Sequence, residues 1–153
     1  MSEHRAKRVC ECSGVGFTVN KHSRAHRREF DGGAVVPASA APDVVRPPLS
    51  DPAAVDPEEA FVAALSSRHM LWLLSLAAQL GFAVDRYEDD AVGVLGTDAE
   101  KRLAITRVAR RPKVEFGGAR KPMASELESL HRGAHASCFL ANSVKSEIIV
   151  RRA

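Results

Sequence analysis

The chain has 153 residues, 45% hydrophobic and 27% charged, which is one domain's length and an ordinary globular composition. Its formal charge of +3 is too small, and its aromatic content of 5% too low, for a nucleic-acid groove built on stacked bases. The N-terminus, Met1 to Arg8, lacks the apolar core of a secretory leader.

The positive charge is uneven. Arg5, Lys7, Arg8, Lys21, Arg24, Arg27 and Arg28 crowd the first thirty residues, and a second cluster runs Arg107, Arg110, Arg111, Lys113, Arg120, Lys121. If both lie on one sheet, one face is positive; solvated strand faces are the plainer expectation. Three cysteines, an odd number without framework spacing, predict a reducing, cytoplasmic setting.

In chain order, strand-forming residues from Val9 to Val19 are broken by Ser13-Gly14, and Ser23 to Phe30 alternates polar types. Asp31-Gly32-Gly33 supplies a turn before Ala34-Val35-Val36, so an N-terminal antiparallel meander is predicted. Residues 37–55 hold five prolines and little periodicity, which predicts an extended connection. A long helix then starts with Asp56 as N-cap, Pro57 at its first position and Glu59 three after the cap, and stops at Gly81. It is apolar on nearly every side, so it needs more cover than one sheet offers: a wrapping sheet, a partner subunit, or both. Its apolar stretch matches a membrane span in length, but Arg68, His69 and three serines argue against one.

Val84–Leu95 and Leu103–Phe116 predict a hairpin joined by residues 96–100. A second helix over about 125–137 carries Leu127, Leu130, Ala134 and Cys138 as its apolar stripe. A last strand over 144–151 offers Val144, Ile148 and Val150 to a core. The order is that of a single α+β domain over 1–153.

Two segments carry a family likeness: the helix opening Pro57-Glu58-Glu59-Ala60-Phe61, and Ala134-His135-Ala136-Ser137-Cys138-Phe139-Leu140-Ala141-Asn142-Ser143. With the Asp31-Gly32-Gly33 hairpin and the element order, the chain resembles the OsmC/Ohr proteins. The resemblance implies antiparallel sheets wrapping long central helices in an intertwined homodimer. It also implies reduction of organic hydroperoxides by a peroxidatic cysteine, a resolving cysteine and an external thiol. The glutamate that holds the family's catalytic arginine matches Glu58, that arginine matches Arg24, and the resolving cysteine matches Cys138, followed here by Phe139 rather than proline. The peroxidatic position is Arg68.

A guanidinium at Arg68 removes the two-cysteine cycle and adds charge beside Arg24; if both are buried they repel unless Glu58 or an anion bridges them. Three readings stay open: lost peroxidase activity, a cationic pocket walled by Phe61, Leu65 and Trp72 for a fatty or aromatic acid, or a structural arginine reaching solvent or the other subunit. Cys138 shares a helical face with His131 and His135. It is read either as a one-cysteine nucleophile, as a small buried hydrophobe, or as one ligand of a zinc site lacking a fourth. Cys10-x-Cys12 with His22 and His26 has zinc-type ligands but a spacing too short for a knuckle. Glu88-Asp89-Asp90 reads as a solvated acidic bend, and Gly14-Val15-Gly16 lacks the helix of a phosphate loop. No cofactor is implied.

Overall fold

The computed structural model describes residues 1–12 and 16–151, and divides the chain into two compact units, 1–60 and the remainder from Phe61. The Ser13-Gly14 break and the Gly14-Val15-Gly16 run fall at least partly outside the described residues.

In the first unit, β1 (Ala6–Val9), β2 (His26–Phe30) and β3 (Val35–Ala38) form an antiparallel sheet in chain order, as the turn chemistry predicts. Gly33 has φ 86°, the left-handed conformation that the β2–β3 turn demands. The first strand differs from expectation: it ends at Val9, and Phe17 to Asn20 form a turn closed by Asn20 N–H donating to Phe17 O. Cys10 and Cys12 thus follow a strand rather than ride on one. They are joined as a disulfide, where the odd cysteine count without framework spacing predicted a reducing setting. Their Cα atoms lie 5.6 Å apart, within bridging distance. The proline-rich connection is extended but anchored. Ser39 is buried, its hydroxyl accepts Asp51 N–H, and Ala38 bridges Val55.

Helix α1 (Pro57–Gln79) starts with the predicted reciprocal cap: Asp56 Oδ1 accepts Glu59 N–H at 2.7 Å, and Glu59 Oε2 accepts Asp56 N–H at 3.1 Å. At 1.5 Å per residue it is about 34 Å long. It stops at Gly81, whose φ of 76° lets Phe82 N–H reach back to Ala77 O. α1 is long and apolar enough to cross a bilayer by length and composition.

In the second unit the predicted hairpin is bent into two ladders. β4 (Ala83–Asp89) pairs β7 (Pro112–Gly117), and β5 (Val92–Thr97) pairs β6 (Leu103–Arg110), with breaks at Asp90-Ala91 and Arg111. β8 (Glu147–Val150) adds to β6 in parallel, setting Arg110 opposite Val150. Helix α2 (Ala124–Ser137) buries Leu130 and Ala134, followed by Cys138, while Leu127 is half-buried. Ala77, Phe82 and Leu130 form the core cluster with Leu76, Val84 and Phe116 around it.

The prediction that α1 is buried on nearly every side is only partly met. Leu65, His69, Leu73 and Ala77, spaced by four, are buried, whereas Leu71 and Leu80 each keep 51% of their surface exposed. The expectation that both basic clusters are solvated also fails at two residues. Arg28 on β2 is 6% exposed and Arg110 on β6 is 0% exposed. The clusters lie on separate sheets.

Candidate functional site around Arg68, Arg110 and Cys138

Cys138 closes α2. Its N–H donates to His135 O, its side chain is fully buried, and its sulfur accepts Ala141 N–H at 3.5 Å. It is the free cysteine of the chain, since Cys10 and Cys12 are bonded to each other.

Arg68 projects from the middle of α1 onto the segment after that cysteine. Its guanidinium carbon lies 3.9 Å from the centre of the Phe139 ring and 5.8 Å from that of Trp72. A planar cation on aromatic faces keeps its charge partly desolvated without a carboxylate. Among the described residues no ion pair reaches Arg68, and its Nε is buried without a hydrogen-bond partner. Arg68 and Phe139, the residue after Cys138, are therefore in contact.

The two histidines that share the α2 face with Cys138 go elsewhere. His131 Nδ1 is 3.1 Å from Nε2 of buried His69, with the rings stacked 5.4 Å apart and 5° from parallel. His135 Nδ1 lies 3.3 Å from Nη2 of Arg110. Burial, reinforced by Arg110 and then by His131 and His135, pushes His69 down to about 3, so the ring is neutral at neutral pH. Burial and then Arg110 also push His135 down.

Arg110 is the largest fully buried side chain among the described residues, and its Nε and Nη1 have no hydrogen-bond partner. Burial pushes its guanidinium below the ordinary value. Attraction to Cys138, then to Tyr87 and Asp89, offsets part of that. The carboxylate of Asp89 is already engaged by the Ser66 hydroxyl and Arg111 N–H, so the acidic bend is partly structural. Tyr87 Oη is buried without a partner, and burial raises its ionisation, leaving it a hydrogen-bond donor. Beside these groups, Glu128, His131, Arg132, His135, Ile148 and Val150 line a cleft of about 490 Å³.

The remaining sequence candidates lie in the first unit. Arg24 donates to His22 O and, at 2.6 Å, to Asn20 Oδ1. No ion pair between Arg24 and Glu58 occurs among the described residues, and Glu58 sits half-buried in the first turn of α1. Among the described residues no group of three or more His, Cys, Asp or Glu is placed to hold a metal. His69, Tyr87 and Arg110 were missed by sequence reasoning. Two signals were available: the four-residue spacing Leu65-His69-Leu73-Ala77, and the two-residue step that sets Arg110 on the same strand face as Val108.

Residues 50–151 match the family model described as OsmC-like protein. The chain belongs to the OsmC-like family. This OsmC-like protein is 49% identical, over the whole of both chains and with a TM-score of 0.97, to an OsmC-like protein of unknown function from Vibrio cholerae. It also superposes on an organic hydroperoxide resistance protein from Elizabethkingia anophelis, 14% identical, covering 99% and 94% of the two chains with a TM-score of 0.71. A third likeness is to the organic hydroperoxide resistance protein OhrB of Bacillus subtilis, 16% identical, covering 97% and 96% with a TM-score of 0.62. At those identities the last two speak for the fold. No functionally curated protein matches the chain.

Proposed function

We propose that this protein is a hydroperoxide-reductase scaffold whose two-cysteine cycle is silenced by Arg68, leaving at most one-cysteine reduction of organic hydroperoxides through Cys138. The observation that carries this reading is the stacking of the Arg68 guanidinium on Phe139, the residue after Cys138. A two-cysteine cycle needs a second thiol facing Cys138, and the side chain found there cannot form a disulfide. An external thiol would then have to reduce oxidised Cys138.

The working unit is a cytoplasmic homodimer in this reading. The exposed Leu71 and Leu80 on and just after α1 support a second copy as their cover, since apolar surface gains by leaving water. Arg24 and Glu58 keep their family roles as an expectation, with a partner chain free to supply the contact that one chain lacks.

Hydroperoxide consumption with a dithiol reductant tests the proposal. The chain as written turns over slowly and Cys138→Ser removes that activity, whereas Arg68→Cys raises it. Equal rates for the natural chain and Arg68→Cys, unaffected by Cys138→Ser, contradict the reading.

A second reading is favoured by one specific observation: the Arg68 guanidinium has apolar walls and no carboxylate among the described residues. That suits the head group of a fatty or aromatic acid. A ligand at a hundred times its dissociation constant stabilises by about 2.7 kcal/mol. Decanoate and benzoate should then raise the melting temperature and perturb Trp72, the chain's one tryptophan. No shift with either acid sinks this alternative.

A further inference from the structure

We propose that the Cys10–Cys12 disulfide is a thiol–disulfide exchange site, and that the cross-strand pair Arg8 and Arg28 draws anionic low-molecular-weight thiols to it as substrate. The proposal goes beyond the reading above, since it lies wholly in the first unit and makes no use of Cys138.

Two observations meet at the end of β1. The first is a bond with little to hold together. Cys10 and Cys12 stand two positions apart in sequence, so their disulfide closes a very short loop. The stabilisation that a disulfide gives grows with the loop it closes, so this one locks little. Both residues are exposed, within reach of an attacking thiolate. In the cytoplasmic setting proposed above, a bond of that kind is transient and reactive rather than a staple. Glu11, the one residue between them, pairs with Arg27 at 3.7 Å, so its charge does not stand unopposed against an anionic attacker.

The second observation is positive charge without an answer. Arg8 on β1 and Arg28 on β2 are register partners, so their side chains share one face of the sheet. Like charges directly opposite each other are unfavourable. Among the described residues no carboxylate forms an ion pair with either. Glu3 is taken by Arg5, Glu29 by Lys7 and Arg27, and Glu11 by Arg27. Arg28 is 6% exposed, which raises the cost of leaving its charge unpaired. Arg8 is exposed and precedes Cys10 by two positions, the spacing that returns an extended chain to the same face. The first thirty residues carry seven Lys or Arg against three Glu, so the surrounding field adds to the pull on an anion. A thiol bearing a carboxylate answers both observations at once: its carboxylate meets the arginines and its sulfur meets the disulfide.

The exchange balances with two equivalents of thiol. The thiolate of the first attacks one cysteine sulfur, forming a mixed disulfide as the Cys10–Cys12 bond breaks. The released cysteine sulfur leaves as a thiolate and takes up the proton that the incoming thiol gave to solvent. A second thiolate attacks the mixed disulfide, freeing the other cysteine and an external disulfide. Two external thiols are oxidised by two electrons, and the protein disulfide is reduced to two thiols. An external disulfide runs the same steps backwards.

The test incubates the folded chain with reduced glutathione or with uncharged mercaptoethanol, quenches with N-ethylmaleimide, and reads residues 10 and 12 by peptide mass. Both thiols should open the bond, with a glutathione adduct seen on the way, and the urea midpoint should be the same before and after reduction. The glutathione rate should fall about threefold or more from low to high salt while the mercaptoethanol rate holds. Arg8→Gln should lower the glutathione rate and flatten its salt dependence, and Arg8→Lys should keep both. A bond that opens only in urea, or a midpoint that drops on reduction, makes the disulfide structural and overturns the proposal. Purified protein with both thiols reduced and holding zinc overturns it as well. Exchange that is blind to Arg8 and to salt removes the anionic substrate class.

Discussion

Two arginines on strands, Arg27 and Arg110, are held in opposite ways. Arg27 on β2 is surrounded by carboxylates: Glu29 at 2.7 Å and Glu11 at 3.7 Å, with Lys7 sharing Glu29 at 3.2 Å. Those pairs are solvent-exposed, so each contributes little to stability. Arg110 on β6 is fully buried, lies 3.3 Å from a ring nitrogen of His135, and makes no ion pair with a carboxylate among the described residues. A surface arginine paired with two glutamates needs no function to explain it. A buried one without a paired carboxylate is costly and calls for an explanation.

The largest effect that sharpens the contrast is on the buried face of α1. Leu73 is fully buried on α1, and Leu73→Ala should lower unfolding free energy by about 2–5 kcal/mol in a urea titration. Val35 on β3, 57% exposed, should change by less than about 0.5 kcal/mol on the same substitution. Similar losses at both positions would break the comparison.

Acid should separate the regions next. His69 has its folded value pushed to about 3, against 6.5 unfolded, so the unfolded chain binds the proton first as pH falls. Stability is then unaffected above pH 6.5 and falls between pH 6.5 and about 3, by at most about 1.4 kcal/mol per pH unit. Glu29 and Asp98 are held below their ordinary values by Arg27 and by Arg102 respectively. Their contributions are present at neutral pH and fade only in the carboxylate range. Denaturant midpoints at pH 7.0, 5.5 and 4.5 should fall already by 5.5, and His69→Phe should flatten that early decline. An unchanged decline in the variant would assign the acid sensitivity elsewhere.

The smallest effect is expected at Arg27 itself. Arg27→Ala should leave the urea midpoint almost unchanged, and added salt should shrink any difference further. A clear drop in the midpoint that persists in high salt would mean that the exposed cluster is not the solvated network its distances indicate.

The sequence disclosed what is written locally. The α1 cap is legible because Asp56 and Glu59 lie three residues apart, and the α1 stop because Gly81 takes a positive φ. The α2 stripe follows from helical spacing, and Arg68 stood out as a charge in an apolar run. What stayed hidden depends on distant partners. The bend at Asp90-Ala91 and Arg111 has no glycine to announce it. Burial of Arg110 requires that β8 and α2, some twenty-five to forty residues on, cover its strand. The Cys10–Cys12 bond also went unread, because free thiols and a close-spaced disulfide share one sequence pattern.

The most direct measurement is a peptide map of Arg68→Cys after one equivalent of cumene hydroperoxide, with Cys10 and Cys12 changed to serine. The account predicts a disulfide between the introduced cysteine and Cys138, formed without added oxidant beyond the peroxide. Oxidation of either thiol without that bond would mean that position 68 does not face Cys138, and the claim of a silenced two-cysteine site would be wrong.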